Sequence, residues 1–310
     1  MLWRSQKGLQ SFEALCDRWH SGLEKGALGL GAVFILLFWI FIRATAADPD
    51  LFARLAQGRL IFENGAVPLT DPFAYTPKKP FWVDHEWLAG YVFYAVYLCG
   101  GDFLLFLFKC VFALCAVTIL YRAAGLYRGE AAGFWPTLIM AFSCAYVWNS
   151  TVRSQVFTYL FLPVYLYAFV VYQKHGRLRE IFFLPAVMLV WANAHGGFVV
   201  GLGLFFIFWT GSAVLARRVH WPLLLSFVLC LCATCITPYG VILFWGFIYE
   251  AISMSRPSIT EWVPLNPFSA AAVIPCLWTL VLLAGIWRKR QCLDCVGLAL
   301  TAVSLYFGFR

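Results

Sequence analysis

The chain has 310 residues, 62% of them hydrophobic and only 12% charged, with mean hydropathy +0.78 and a net charge of +8. Soluble domains run near half apolar and a quarter charged, so this composition excludes an ordinary soluble protein and describes one that crosses a bilayer many times. No basic soluble domain interleaved with aromatics is present, so the surplus of positive charge does not indicate nucleic-acid binding.

In chain order, residues 1–27 are amphipathic and mixed in charge. They lack a cleavage site and read as a short helix on the cytoplasmic surface, not as a removable signal. Apolar runs long enough to span then fall at about 28–45, 102–121, 132–149, 155–173, 181–194, 198–215, 221–237, 269–287 and 294–309. The expected fold is therefore an all-α polytopic membrane protein with about nine transmembrane helices. It forms one transmembrane domain over 28–310, with a long first extracytoplasmic loop (46–101) and a second outer segment (238–268). Segments 87–99 and 240–253 are apolar but read as re-entrant or interfacial helices. The chain stops at Arg310 directly after an apolar run, which suggests a truncated C-terminus or a short relative of longer proteins.

Basic residues set the orientation. Arg4, Lys7, Arg18 and Lys25 precede the first span. Arg122 and Arg128, then Lys174, Arg177 and Arg179, then Arg217 and Arg218, then Arg288, Lys289 and Arg290 occupy alternate connections. All of these belong on the cytoplasmic side, with the N-terminus, and the expected location is a bacterial inner membrane.

The first outer loop holds six carboxylates: Asp48, Asp50, Glu63, Asp71, Asp84 and Glu86. Acids at the membrane edge are costly unless solvated, paired or metal-bound, so the loop is the first place to look for chemistry. Leu51, Leu55, Leu60 and Ile61 have helical spacing, and Gly65 is a natural stop. Pro68, Asp71-Pro72 and the prolines from 77 to 80 mark turns. A second short helix is expected from near Asp84 through Trp87, Leu88 and Tyr91.

Asp48 and Asp50 flank Pro49. They could act as a general base, ligate a divalent metal, or cap the following helix. Trp82-Val-Asp84-His85-Glu86-Trp87 adds acids, an imidazole and two indoles that suit sugar rings as well as an interface. Arg153, at the outer end of the fourth span, has the planar fork that grips phosphate. Asn193 and His195 precede Gly196-Gly197, where backbone can approach a ligand closely or simply turn tightly. Thr237-Pro238-Tyr239-Gly240 is a turn at the outer end of the seventh span, and Glu261-Trp262 follows in the second outer segment. Lys109, in the second span, reads as snorkelling or paired. The eleven cysteines lie mostly in spans and behave as small apolar residues; Cys292 and Cys295 have metal or redox spacing, but a single such pair is a weak signal and reads as a cytoplasmic-edge feature. No nucleotide-binding P-loop, G-x-S-x-G elbow or H-E-x-x-H helix occurs.

An outer-edge Asp after the first span, an amphipathic helix, a Pro-rich turn and a Trp-His segment together resemble the GT-C superfamily of membrane glycosyltransferases. Asp48, Phe52, Ala53 and Ala56 fall on that superfamily's D-E-x-x-Y-A-x-x-A pattern. Pro49 stands where the pattern has a second acid, and Phe52 where it has Tyr. The segment 79–88, then R-x-Q at 153–155, W-A-N-x-H-G-G at 191–197 and T-P-Y-G at 237–240, resemble a bacterial group within the superfamily. The likeness runs from about residue 40 to the end.

The resemblance implies inverting transfer of a sugar from a polyprenyl-phosphate donor to a lipid, glycan or protein acceptor on the outer face. It implies Asp48 as the catalytic base with Asp50 as its rival, and His85 and Arg153 as contacts to the donor phosphate; Asp84, Glu86, Asn193, His195 and Trp82, read from the residues themselves, are the further candidates around the substrate. It also implies a divalent cation, Mg or Mn, at Asp48 and Asp50, which the missing second acid leaves open. The alternatives on composition alone are a transporter or lipid flippase, or a non-catalytic scaffold of an envelope complex. A transporter would show paired repeats and broken helices.

Overall fold

A computed structural model describes residues 49–75, 80–128 and 152–254, with residues 268, 276 and 280, apart from the side chains of 124, 127 and 128. The expected surface helix within 1–27, the expected spans at 28–45, 132–149, 269–287 and 294–309, and Asp48, Glu261 and Cys292 lie outside the described residues. Those residues form seven helices and no strand: α1 Pro49–Asn64, α2 Trp87–Arg128, α3 Gln155–His175, α4 Leu178–Ala194, α5 Phe198–Ala216, α6 Trp221–Thr234 and α7 Gly240–Ser253.

The first outer loop is built as its spacing predicts. Pro49 opens α1 with φ already helical and Asp50 sits in the first turn, where the helix dipole favours a carboxylate. Gly65 closes α1 in the left-handed region at φ 64°, with its N–H donating to the Ile61 carbonyl at 2.9 Å. Beyond it Asp71 makes a turn, its Oδ1 accepting from the Phe73 and Ala74 N–H groups at 2.9 and 3.2 Å.

α2 is two arms. Gly100 and Gly101 leave helical geometry, and Gly101 takes φ 60°, ψ −150°, a conformation for which only glycine is suited. The arms bend toward each other there, so that the Phe93 and Phe108 rings lie 6.0 Å apart. In an unbroken helix those residues would be ~22 Å apart. The first arm, residues 87–99, is ~20 Å long and too short for a ~30 Å hydrocarbon core. The second is long enough to cross. α1 packs on the first arm through bare backbone: a side chain at Gly58 would strike the Gly90 carbonyl, and one at Gly90 would meet the Arg54 carbonyl at 2.8 Å. Phe62 closes the contact edge-on to Tyr94 at 5.7 Å.

α3 to α6 run back and forth as a bundle. The second arm of α2, α3 and α5 are long and apolar enough to cross a membrane; α6 and α7 are shorter apolar helices. The described residues are thus all-helical, and their apolar helices suit a protein that sits in a bilayer. The bundle core is aromatic, with Tyr165, Phe169, Trp191, Phe205 and Phe208 buried together and the Phe169 and Phe208 rings stacked 4.2 Å apart. Gly201 leaves room for the Trp191 ring.

Polar ties register the helices where no water competes. The Ser226 hydroxyl donates to the Ile181 carbonyl at 2.7 Å and Tyr165 to the Leu184 carbonyl at 3.2 Å. Asn193 Nδ2 reaches the Leu189 and Ile236 carbonyls, both at 2.9 Å, and so joins the ends of α4 and α6. At the opposite end the α3–α4 and α5–α6 turns carry Lys174, Arg177, Arg179, Arg217 and Arg218. The bundle therefore has an acidic end, near the first outer loop, and a basic end.

Candidate functional site

The site forms where α1, the start of α2, the start of α3, the end of α4 and the start of α7 meet. Arg54 is on the inward face of α1 with Gln57, Gly58 and Ile61, one helical turn apart. Its guanidinium holds Asp84 Oδ1 at 2.5 Å, Glu86 Oε2 at 3.5 Å and Gln57 Oε1 at 3.3 Å. Asp84 is 3% exposed. Its Oδ1 also accepts from the Glu86 N–H at 3.0 Å and so caps the first arm of α2. The Asp84 N–H donates to the Tyr239 hydroxyl at 3.1 Å, tying this loop to the start of α7. Asp84 Oδ2 and Gln57 Nε2 are buried polar atoms with no hydrogen-bond partner, one acceptor and one donor not used by the protein itself.

His195 follows the end of α4. Its Nδ1 accepts twice, from the Thr158 hydroxyl at 2.7 Å and from the Gly197 N–H at 2.9 Å. The Thr158 oxygen in turn accepts from Trp191 Nε1 at 2.8 Å. With Nδ1 occupied as an acceptor, the neutral ring carries its proton on Nε2, assigned here from its partners. That N–H faces Glu86 Oε1 at 3.6 Å, and His85 Nε2 faces the same oxygen at 3.7 Å. Two imidazoles and a carboxylate at such separations could suggest a metal cage, but a ligating nitrogen needs a free lone pair, and His195 Nε2 has none in this tautomer. Among the described residues no set of three His, Cys, Asp or Glu side chains is arranged to hold a metal ion.

The electrostatics follow from burial and pairing. Burial pushes the His195 pKa down to about 4 against a smaller opposing pull from Glu86, so the ring is neutral at physiological pH. Burial pushes the Glu86 carboxyl up, but the neighbouring histidines, Arg54 and a hydrogen bond to the Ser154 hydroxyl outweigh it and hold the carboxyl below its ordinary value. Since His195 is uncharged at neutral pH, its pull on Glu86 does not operate there. Burial lowers Arg54, yet Asp84 and Glu86 more than compensate and keep it charged. Burial first, then the Asp84 charge, raises the Tyr239 hydroxyl, which stays protonated.

Beside this cluster lies a cavity of about 690 Å³, in the size range of small-molecule sites. Its lining mixes polar groups, Arg54, Asp71, Asp84, His85 and Glu250, with apolar ones such as Phe81, Leu243 and Phe247. The His85 ring packs against Phe247 with centroids 5.1 Å apart.

Of the residues expected to form a site, Asp84, His85, Glu86 and His195 come together in one cluster, and Trp82 joins them in the cavity wall. Asp50 and Arg153 face each other at 4.0 Å, with the Asp50 side chain 70% exposed. Ser154, next to Arg153, links that pair to Glu86. Asp50, the described half of the expected metal pair, thus has a guanidinium opposite it. Asn193 is 4% exposed and accepts from Trp87 Nε1 at 2.9 Å in addition to its two donations, so it braces the site from below. The Gly196-Gly197 pair makes room for the site's own side chains. A Cβ at Gly196 would crowd His85 Cδ2 at 3.2 Å, and one at Gly197 would strike Thr158.

Arg54 and Thr158 are site residues that sequence spacing did not single out; Tyr239 was read only as part of a turn. For Arg54 a signal exists, since it shares a helical face with Gln57, Gly58 and Ile61, which pack inward. No known protein family, curated protein or solved structure matches this chain at a significant level.

Proposed function

We propose that this chain is a GT-C-type inverting glycosyltransferase, moving a sugar from a polyprenyl-phosphate donor to an acceptor at the outer face of a bacterial inner membrane. The observation that carries the reading is the meeting of first-loop acids with Arg153, His85 and His195, from distant segments, beside one cavity lined by both polar and apolar side chains. Such a cavity suits an amphipathic donor whose head is polar and whose chain lies in the bilayer.

In the proposed step Asp48, or Asp50 beside it, takes the proton from an acceptor hydroxyl. The acceptor oxygen bonds to the anomeric carbon as the bond from that carbon to the phosphate oxygen breaks. The electron pair leaves with the polyprenyl phosphate, whose growing negative charge is met by Arg153 and by donor groups of the imidazoles. The apolar wall of Phe81, Leu243 and Phe247 keeps bulk water from the reacting carbon. The about nine spans and the GT-C-like layout belong to the same proposal, as do the cytoplasmic N-terminus and the expected sugar and acceptor partners.

The experiment is transfer of labelled sugar from polyprenyl-phosphate donors in proteoliposomes supplied with an envelope-lipid extract. Asp48→Asn or Asp50→Asn, whichever removes the base, is expected to lower turnover by about 100-fold or more, the usual worth of general base catalysis. Undiminished transfer by the double variant would overturn the acid-centred mechanism. Uptake of a polar solute with no glycan product would favour a transporter.

A further inference from the structure

The basic end of the bundle carries a second cleft, of about 370 Å³, between the α3–α4 and α5–α6 turns. Tyr172, Leu178, Arg218, His220 and Trp221 line it. The Tyr172 hydroxyl and His220 Nδ1 stand 3.5 Å apart, so their polar edges converge on one spot. α6 begins at Trp221-Pro222, and both residues lie in the lining.

Charge there is one-sided. From residue 172 to 222 the chain has Lys174, Arg177, Arg179, Arg217 and Arg218 against a single acid, Glu180. Among the described residues neither Arg217 nor Arg218 has a carboxylate within ion-pair reach. Arg217 caps α5 at φ 49°, ψ 33°, and among the described residues no other non-glycine has positive φ. An arginine held in a conformation better suited to glycine suggests that its side chain is needed where it stands. The rim is apolar and open: Val214 is 68% exposed and Trp221 70%, with Leu178, Leu215 and Val219 also exposed.

Guanidinium, phenol and imidazole groups are phosphate-binding chemistry. A rim of Trp, Leu and Val is what acyl chains and the headgroup boundary meet. We propose that this cleft binds the phosphate headgroup of an anionic phospholipid from the leaflet at the basic end, with the acyl chains lying over Val214, Leu215 and Trp221. Basic pockets between helices on the cytoplasmic side are suited to such headgroups. The site is independent of the sugar-transfer reading.

The test uses the full chain in nanodiscs of phosphatidylcholine with and without phosphatidylglycerol, read by native mass spectrometry and by melting. Wild-type protein should retain phosphatidylglycerol and melt higher with it. The Arg217→Gln, Arg218→Gln double variant should melt normally in phosphatidylcholine but hold at least 10-fold less phosphatidylglycerol. Arg122→Gln, which removes a cation from the last turns of α2, should keep it. Tyr172→Phe, a milder change, should weaken retention should the double variant fold poorly. Equal retention by wild type and by the double variant or Tyr172→Phe overturns the site. Equal loss in Arg122→Gln reduces it to general charge attraction and overturns it too. Protection by free glycerol phosphate that matches the lipid's would show a soluble phosphate to be the ligand and would overturn the lipid assignment.

Discussion

His195 illustrates how one ring's partners decide its chemistry. Thr158 and Gly197 occupy Nδ1, burial keeps the ring neutral, and Nε2–H is left to face Glu86. Its pKa is about 4 in the folded protein against an ordinary 6.5. Between those values the unfolded chain binds the extra proton and the folded one does not, so stability is full above pH 6.5 and falls as pH drops toward 4. The loss is at most about 3 kcal/mol, from 1.36 kcal/mol per pKa unit. Glu86, held below its ordinary value, adds to the loss in the same direction at lower pH. Melting curves from pH 7 to 4.5 should slope downward, and His195→Gln should flatten them. An unchanged slope in that variant would mean that another group titrates. At this scale Asp84, His85 and Glu86 were legible, because acids and a histidine at a membrane edge need a reason to be there. Thr158 was not, because a threonine inside an apolar helix carries no signal until its neighbours are known.

Among the elements, α1 and its end at Gly65 could be read from periodicity and a glycine, both local properties. The separation of residues 87–99 from the span that follows also matches the expected pattern, with Gly100-Gly101 as the joint. The crossing of α1 on that arm was not legible. Gly58 and Gly90 are 32 positions apart, and neither shows in sequence that the other is its partner. Gly58→Ala should destabilise the protein by about 1–3 kcal/mol, as overpacking does. Gly203→Ala is the control, since a Cβ there meets nothing within 4 Å. If both variants melt alike, the glycine crossing is not a tight contact. Because α1 carries Arg54 into the site, Gly58→Ala is also expected to disturb the Arg54–Asp84 pair.

The described residues have the first-loop acids and the larger cavity at one end and the basic turns at the other, the kind of polarity that the positive-inside rule describes. Single cysteines placed in a cysteine-free background report that arrangement. Phe81→Cys should react with an impermeant thiol reagent from the outer face, and His175→Cys only after the membrane is opened. Labelling of both from one side would refute the polarity. The same polarity separates the two proposed sites, sugar transfer at the acidic end and lipid binding at the basic end.

By itself the sequence determined that the chain is helical and membrane-embedded, where α1 ends, which turns are basic, and that the first outer loop concentrates the acids. These follow from composition, periodicity and turn chemistry, which act between neighbours along the chain. Only the tertiary structure decided that Arg54 binds Asp84 and Glu86, that Thr158 joins the Gly197 N–H at His195 Nδ1, and that Asn193 braces helices beneath the site. It also decided that Asp50 meets Arg153. Those outcomes depend on side chains that are far apart in sequence and come within hydrogen-bonding or ion-pair reach only when the helices pack.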